Sequence, residues 1–382
     1  MPKPIIYLDY NASAPLLPVA REAILAALEV DANPSSVHAS GRAAKAIVAT
    51  ARRKVADLVG AKPDHVVFTS GATEAAQMLL TPHYSMGRSP LTMGHLYVCA
   101  ADHPCLLAGG QFAVDDVSKI GVTANGIIDL ADLNAALAAH DKAKGLPLVA
   151  VHYANNETGV VQPVAEIAKS VKAAGGILVL DAVQAAGRIE IDLSSGIADY
   201  LIISSHKIGG PKGAGAVVAA SDLVMPMPLI RGGGQERGHR GGTEAPANLA
   251  GFGAAAEYAS VHLKEFQALR ELQILLEDGL RSLDGNILIH GQEADRLPNT
   301  VFFTLPGAKA ETLQINFDLA GFAVSSGSAC SSGKVGRSHV LDAMGVKSDE
   351  GAVRVSFGLA TKEEEILLFL EAFSTIMSRL KR

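Results

Sequence analysis

At 382 residues, 48% of them hydrophobic and 38 of them glycine, the chain is long and apolar enough for about two domains with sizeable cores, and its composition is neither disordered nor fibrous. With a formal net charge of −6 nothing points to nucleic acid or an anionic membrane surface, and no run reaches about 18 apolar residues, so no membrane helix is expected. Met1–Ile6 shows no signal-peptide pattern, and three cysteines, an odd number, suit a reducing compartment better than a disulfide framework. The expectation is a soluble cytoplasmic protein.

In chain order, strand-length apolar runs stand at His65–Thr69, His95–Cys99, Leu148–Tyr153, Ile177–Asp181, Tyr200–Ser204 and Ala214–Ala219. Helical patterns at Ala39–Val59, Leu130–Ala139 and Val164–Ala174 separate them. This alternation predicts an α/β fold, a mostly parallel sheet with helices on both faces that binds ligands at the carboxyl ends of its strands. The glycine-rich Arg231–Gly242 stretch reads as a long loop, and Ala245–Leu283 as a helical region with room for breaks. Short strands follow near Ile287–His290 and Asn299–Leu305, then a helix near Ala310–Leu319, strands near Phe322–Ser325 and Ala352–Phe357, and a last helix from about Lys362. This order predicts a large domain over residues 15–255 and a smaller α+β domain formed by 1–14 and 256–382. No repeat or low-complexity tail interrupts it.

Polar residues collect at the predicted strand ends. Thr69-Ser70-Gly71-Ala72-Thr73-Glu74 joins a strand to a helix, where free N–H groups and the helix dipole suit an anion and Thr73 adds a hydroxyl. An ordinary helix cap has the same appearance. Asp181 ends an apolar strand, placed to keep a pyridine-type nitrogen protonated and so preserve an electron sink; a plain cap is again the alternative. Ser204-Ser205-His206-Lys207 follows another strand, offering an amine for imine formation beside groups suited to a phosphate. His103 could stack on an aromatic face or be a surface histidine, and Asn155-Asn156-Glu157 could be turn residues. Together these are four strand ends that one ligand could collect.

Cys330 sits in Ser-Ser-Gly-Ser-Ala-Cys-Ser-Ser-Gly, residues 325–333, whose small side chains cannot bury it; it reads as a displayed reactive thiol. Cys99 and Cys105, beside strand or apolar residues, read as structural. Arg354, in an alternating strand pattern, can clamp a carboxylate bidentately or be an outward charge on an edge strand. No Cys-x-x-Cys or His-Glu-x-x-His spacing suggests a metal.

The ordered set Tyr7–Ala12, Asn33–His38, Gly41-Arg42, Ser70–Ala75, His103-Pro104, Asn155–Gly159, Asp181–Gln184, Ser204–Gly213, Gly232–Gly238, Gly242–Glu244 and Ser325–Ser332 resembles the cysteine desulfurases of the NifS/IscS type, within the class V aminotransferase group of pyridoxal-phosphate enzymes. The resemblance spans nearly the whole chain and implies the fold type I of pyridoxal-phosphate-dependent transferases. It implies that Lys207 holds pyridoxal 5'-phosphate covalently and later moves the Cα proton, and that Asp181 pairs with the pyridine nitrogen. Gln184 and Asn156 would contact the ring oxygen or the substrate, and His103 would stack on the ring as a catalytic group. Thr73, Ser204 and His206, with Ala72 beside them, would bind the phosphate, joined by Thr243 from the second subunit of a homodimer. Arg354 would hold the carboxylate of L-cysteine, and Cys330 would take the substrate sulfur as a persulfide, leaving alanine.

A sulfur acceptor such as an iron–sulfur scaffold is implied as partner; the only metal contact foreseen is a transient one of Cys330 with a cluster on that partner. Departures from the family pattern are Ala76-Gln77 after Thr73–Ala75, Asp102 rather than glutamate before His-Pro, and Ser13-Ala14-Pro15 near the N-terminus. The basic run Lys334–His339 could favour an acidic partner surface or be a solvated charge run. Two other readings stay open. One is a selenocysteine lyase or another pyridoxal-phosphate aminotransferase of the class, against which the cysteine loop discriminates only in part. The other is a non-catalytic sulfur-relay scaffold, which has no need of Lys207, Asp181, His103 and Arg354 together.

Overall fold

The computed structural model describes residues 5–326, 338–346, 350 and 352–380; Cys330 lies outside the described residues. Its large sheet runs, by strand neighbours, Val224–Pro226, His83–Met86, Ser89–Cys99, Leu146–His152, Ile177–Asp181, Tyr200–Ser204, Gly215–Ala219, Val66–Thr69, with Val117–Ile120 also on Ser89–Cys99. The centre is parallel, from Val117–Ile120 through Tyr200–Ser204, and the two ends are antiparallel.

The central strands are continuous apolar runs because both faces are covered. Val149, Val151, Leu178, Leu180, Leu201 and Ile203 join one hydrophobic cluster, with Ile167, Val171 and Phe252 of the helices Val164–Ala174 and Pro246–Val261. The alternate residues Leu148, Ala150, Val179, Tyr200 and Ile202 join another, with Ala75, Met78 and Leu79 of the helix Ala72–Leu79. Period-two alternation thus places His152, Asp181 and Ser204, the last residues of three neighbouring strands, on the face that carries the Ala72–Leu79 helix.

A four-stranded antiparallel sheet, Leu288–Ile289, Thr300–Thr304, Val353–Ser356, Ser325–Ser326, forms the second layer system. Its core packs Phe303, Phe317, Phe369 and Phe373 with Leu276 and Leu280, and Leu8 from the N-terminal segment enters the same cluster. That segment is tied there by parallel pairing of Ile6–Tyr7 with Phe322–Ala323.

Most expected elements stand within a residue or two of their sequence positions. Among those not anticipated are the helix Pro18–Leu28 and the strands His83–Met86, Val117–Ile120 and Val224–Pro226. These strands have at most four residues, too short for a periodic signal. The helical region after Ala245 is three helices, Pro246–Val261, Leu263–Ala268 and Arg270–Leu283, broken at His262 and Leu269. The Arg231–Gly242 loop holds a short 3-10 turn, Gln235–Gly238.

Candidate active site

One cavity of about 470 Å³ opens at the carboxyl ends of the central strands. His152, Asp181 and Ser204 reach it from three adjacent strands, and Ala72, Thr73 and Glu74 from the first turn of the Ala72–Leu79 helix. His103 and Cys105 enter from the turn into the Pro104–Leu107 helix, Asn156 and Gln184 from loops after their strands. His206, Lys207 and Lys212 come from the turns that follow Tyr200–Ser204.

At one end the cavity suits an anion. Gly71, the N-cap of Ala72–Leu79, carries no side-chain acceptor, and the first bond of the helix runs from the Ala75 N–H to the Gly71 carbonyl. The N–H groups of Ala72, Thr73 and Glu74 are therefore left for another acceptor. Ser204 and Lys212 line the same cavity. The acid in that turn, Glu74, is held away from the role of counter-charge: burial pulls its carboxyl upward, but the Arg240 guanidinium and Ser70 more than offset this and leave it below the usual range. Its bond to Arg240 measures 2.9 Å.

At the other end Asp181 is 6% exposed, and burial raises its carboxyl to about 6, against the Val183 N–H that donates to it at 3.0 Å. An acid so placed gains from an N–H cation brought to it. Lys207 Nζ donates to the Asn11 carbonyl at 2.6 Å and the Ala12 carbonyl at 2.9 Å. His103 is pushed down to about 4 by burial, Lys207 and His339, and His206 to about 4 by burial, Lys207 and Lys212. Both imidazoles are thus neutral near pH 7.

Of the residues singled out from sequence, Ala72, Thr73, His103, Asn156, Asp181, Gln184, Ser204, His206 and Lys207 meet on this cavity. Arg354 does not line it. It lies on an interior strand, 3% exposed, so the outward edge charge is excluded. Its guanidinium donates to Asp9 Oδ1 at 2.7 Å and to the Asn156 carbonyl at 2.9 Å, one residue behind the wall, and its buried Nε has no partner among the described residues. Thr243 is exposed and off the cavity, and Cys330 falls outside the described residues.

Sequence reasoning gave no role to Asn11, Arg188, His152 or Lys212. Asn11 connects the site to the smaller sheet: its amide donates to Thr300 Oγ1 at 2.9 Å, and its carbonyl also accepts from Gln184 at 3.0 Å. Arg188 donates to Asn11 Oδ1 and Gln184 Oε1, each at 2.6 Å. Burial, with Arg354 nearby, lowers its guanidinium to about 9. Asn11 lay inside a recognised motif; Arg188, four residues beyond Gln184, carried no local signal.

Fold and site define an α/β enzyme that brings a lysine and a buried carboxylate onto one anion-ready cavity. The aminotransferase class-V family model matches residues 6–369, and the chain belongs to that family. It is 37% identical over 98% of its length to a protein of Enterobacter agglomerans named cysteine desulfurase, covering 93% of that protein. A protein of Frankia sp. (strain EuIK1) with the same name is 39% identical, over 95% of this chain and 88% of that one. The solved structure of a NifS-like protein from Rickettsia africae superposes with a TM-score of 0.88 at 33% identity, over 98% of this chain and 99% of that one.

Proposed function

We propose that this protein is a cysteine desulfurase: it converts L-cysteine to L-alanine and holds the sulfur as a persulfide on Cys330. The observation that carries the reading is the meeting of Lys207 and buried Asp181 on a cavity whose far end is an open helix N-terminus. Pyridoxal 5'-phosphate fits that donor set, with its phosphate at Ala72, Thr73, Ser204 and His206 and its ring nitrogen at Asp181. When bound, it supplies an electron sink for charge developing on the substrate carbon.

The chain's own groups do the rest. Lys207 would hold the cofactor covalently and would carry the Cα proton at its Nζ. Asp181 would keep the ring-nitrogen proton in place, neutral His103 would stack on the ring, and Gln184 and Asn156 would bind ring oxygen or substrate. Arg354 is the carboxylate clamp for L-cysteine, a role in which its guanidinium turns from Asp9 and the Asn156 carbonyl into the cavity when substrate binds. The Cys330 thiolate attacks the substrate sulfur, so that an S–S bond forms as the C–S bond breaks and the released pair is protonated on carbon to give alanine. Thr243 reaches the phosphate of the other subunit in a homodimer. The sulfur passes to an acceptor such as an iron–sulfur scaffold in the cytoplasm.

Incubation with pyridoxal phosphate, L-cysteine and a reductant tests this. Alanine and sulfide should appear in equal amounts, and Cys330→Ala should lose both while still binding cofactor. Pyruvate with sulfide would indicate β-elimination instead, and full sulfide release by Cys330→Ala would remove that residue from the mechanism.

A further inference from the structure

Beside Asp181 runs a buried chain of three polar side chains, Asp102, His152 and Gln162, each at most 3% exposed. His152 ends the strand Leu146–His152 and is the register partner of Asp181 on the next, parallel strand. Register partners project to the same face, so the imidazole stands next to the carboxylate, and both line the cavity.

The hydrogen bonds settle the state of the ring. His152 Nδ1 lies 2.6 Å from Asp102 Oδ1, which also accepts the His152 backbone N–H at 2.8 Å. Asp102 Oδ2 accepts the Cys99 N–H at 2.7 Å. On the far side, His152 Nε2 is 2.9 Å from Gln162 Nε2. The orientation of that amide is fixed, because Gln162 Oε1 accepts the Ile128 N–H at 2.8 Å and Nε2 also donates to the Gly126 carbonyl at 2.9 Å. Gln162 must therefore donate to His152 Nε2, which leaves the proton on Nδ1, facing Asp102. Ligand atoms of Cys99, Asp102 and His152 also come within 4.8 Å of one another, but the hydrogen bonds just described already engage both carboxylate oxygens and both ring nitrogens.

We propose that His152 is a positioning residue of this active site: clamped as a neutral ring between Asp102 and Gln162, it partly neutralises the buried Asp102 charge and so sets how firmly Asp181 holds the proton on the cofactor ring. The proposal rests on the reading of the cavity as a pyridoxal-phosphate site. The ionisable groups facing Asp181 are Asp102, His152, Lys207 and Cys105. Asp102 adds to the upward push that burial gives Asp181. Loss of the His152 donor exposes Asp181 to more of that charge, and loss of the charge itself does the reverse.

The test is pyridoxal-phosphate affinity against pH, read by equilibrium dialysis, together with the melting temperature of each variant. Below the pH at which Asp181 ionises, binding a protonated ring must expel a proton, so affinity has an acid limb. In His152→Met, which keeps the bulk but neither hydrogen bond, this limb should move to higher pH and affinity at pH 7 should fall about tenfold, as when an outer partner of a site residue is lost. His152→Gln, able to donate to Asp102 and accept from Gln162, should return the limb towards wild type. Asp102→Asn should move it to lower pH. Limbs that superimpose in wild type, His152→Met and Asp102→Asn overturn the proposal whatever happens to stability, as does His152→Gln behaving like His152→Met. If His152→Met does not fold, Asp102→Asn decides alone. A wild type that binds no pyridoxal phosphate overturns the reading of the cavity itself, and the proposal with it.

Discussion

Lys207 owes its place to a tight turn at the end of a buried strand and to two main-chain carbonyls, of Asn11 and Ala12, that receive its ammonium. Lys207→Ala should abolish the visible absorbance of covalently held cofactor and slow turnover by about 10²–10⁴-fold, the usual worth of a positioned acid–base group. An unchanged spectrum would sink its assignment. Lys207 and Asp181 were legible because each is a polar residue ending an apolar strand. The partners that fix their neighbours were not: Asn11 is 177 positions from Arg188 and 289 from Thr300, and no local pattern announces such pairs.

At the scale of elements, the Val66–Thr69 strand is an edge of the large sheet, and side chains cover its open side. Glu236 accepts the Phe68 N–H at 2.9 Å and pairs with both Arg52 nitrogens at 2.6 and 2.7 Å, while Arg52 Nη1 also donates to the Val66 carbonyl. Glu236 and Arg237 adopt left-handed φ values of 46° and 56°, a strained turn that this anchoring holds in place. The same loop sends Arg240 to Glu74 in the first turn of the phosphate-side helix. Arg52→Ala strands a buried carboxylate and should cost about 3–5 kcal/mol in denaturant unfolding. A loss below about 1 kcal/mol, the worth of an exposed pair, would show that the loop is held by other contacts. The glycine-rich stretch read correctly as loop, but its two left-handed non-glycine residues follow from the ion pair and not from its composition.

Across the whole molecule, polar side chains link the two sheets. Asn11, Thr300 and Asn299 are bonded together, Arg354 joins Asp9 to Asn156, and Ser338 Oγ donates to Glu157 Oε2 at 2.5 Å. Burial pushes Glu157 up to about 7 from an ordinary 4.5, with the Ser338 hydroxyl and Arg354 pulling the other way. Between those pH values the folded state keeps a proton that the unfolded chain has released, so this residue's contribution to stability falls as pH rises. Glu157→Gln removes the proton linkage, and its melting temperature should gain on that of wild type from pH 4.5 to 7. A gap that stays constant over this range would show that Glu157 is not held protonated in the fold.

By itself the sequence determined the succession along the chain of the strands and helices that build the large sheet's centre, the strand ends that carry polar residues, and the family. Buried strands are continuous apolar runs, and a polar residue that ends one is conspicuous. The tertiary structure alone decided which ends converge. It set Arg354 against Asp9 behind Asn156, and paired Asp102 with His152 across 50 positions, from the end of one strand to the end of its parallel neighbour. Such contacts arise when strands pack side by side, and the spacing of residues along the chain holds no record of which strands will be neighbours.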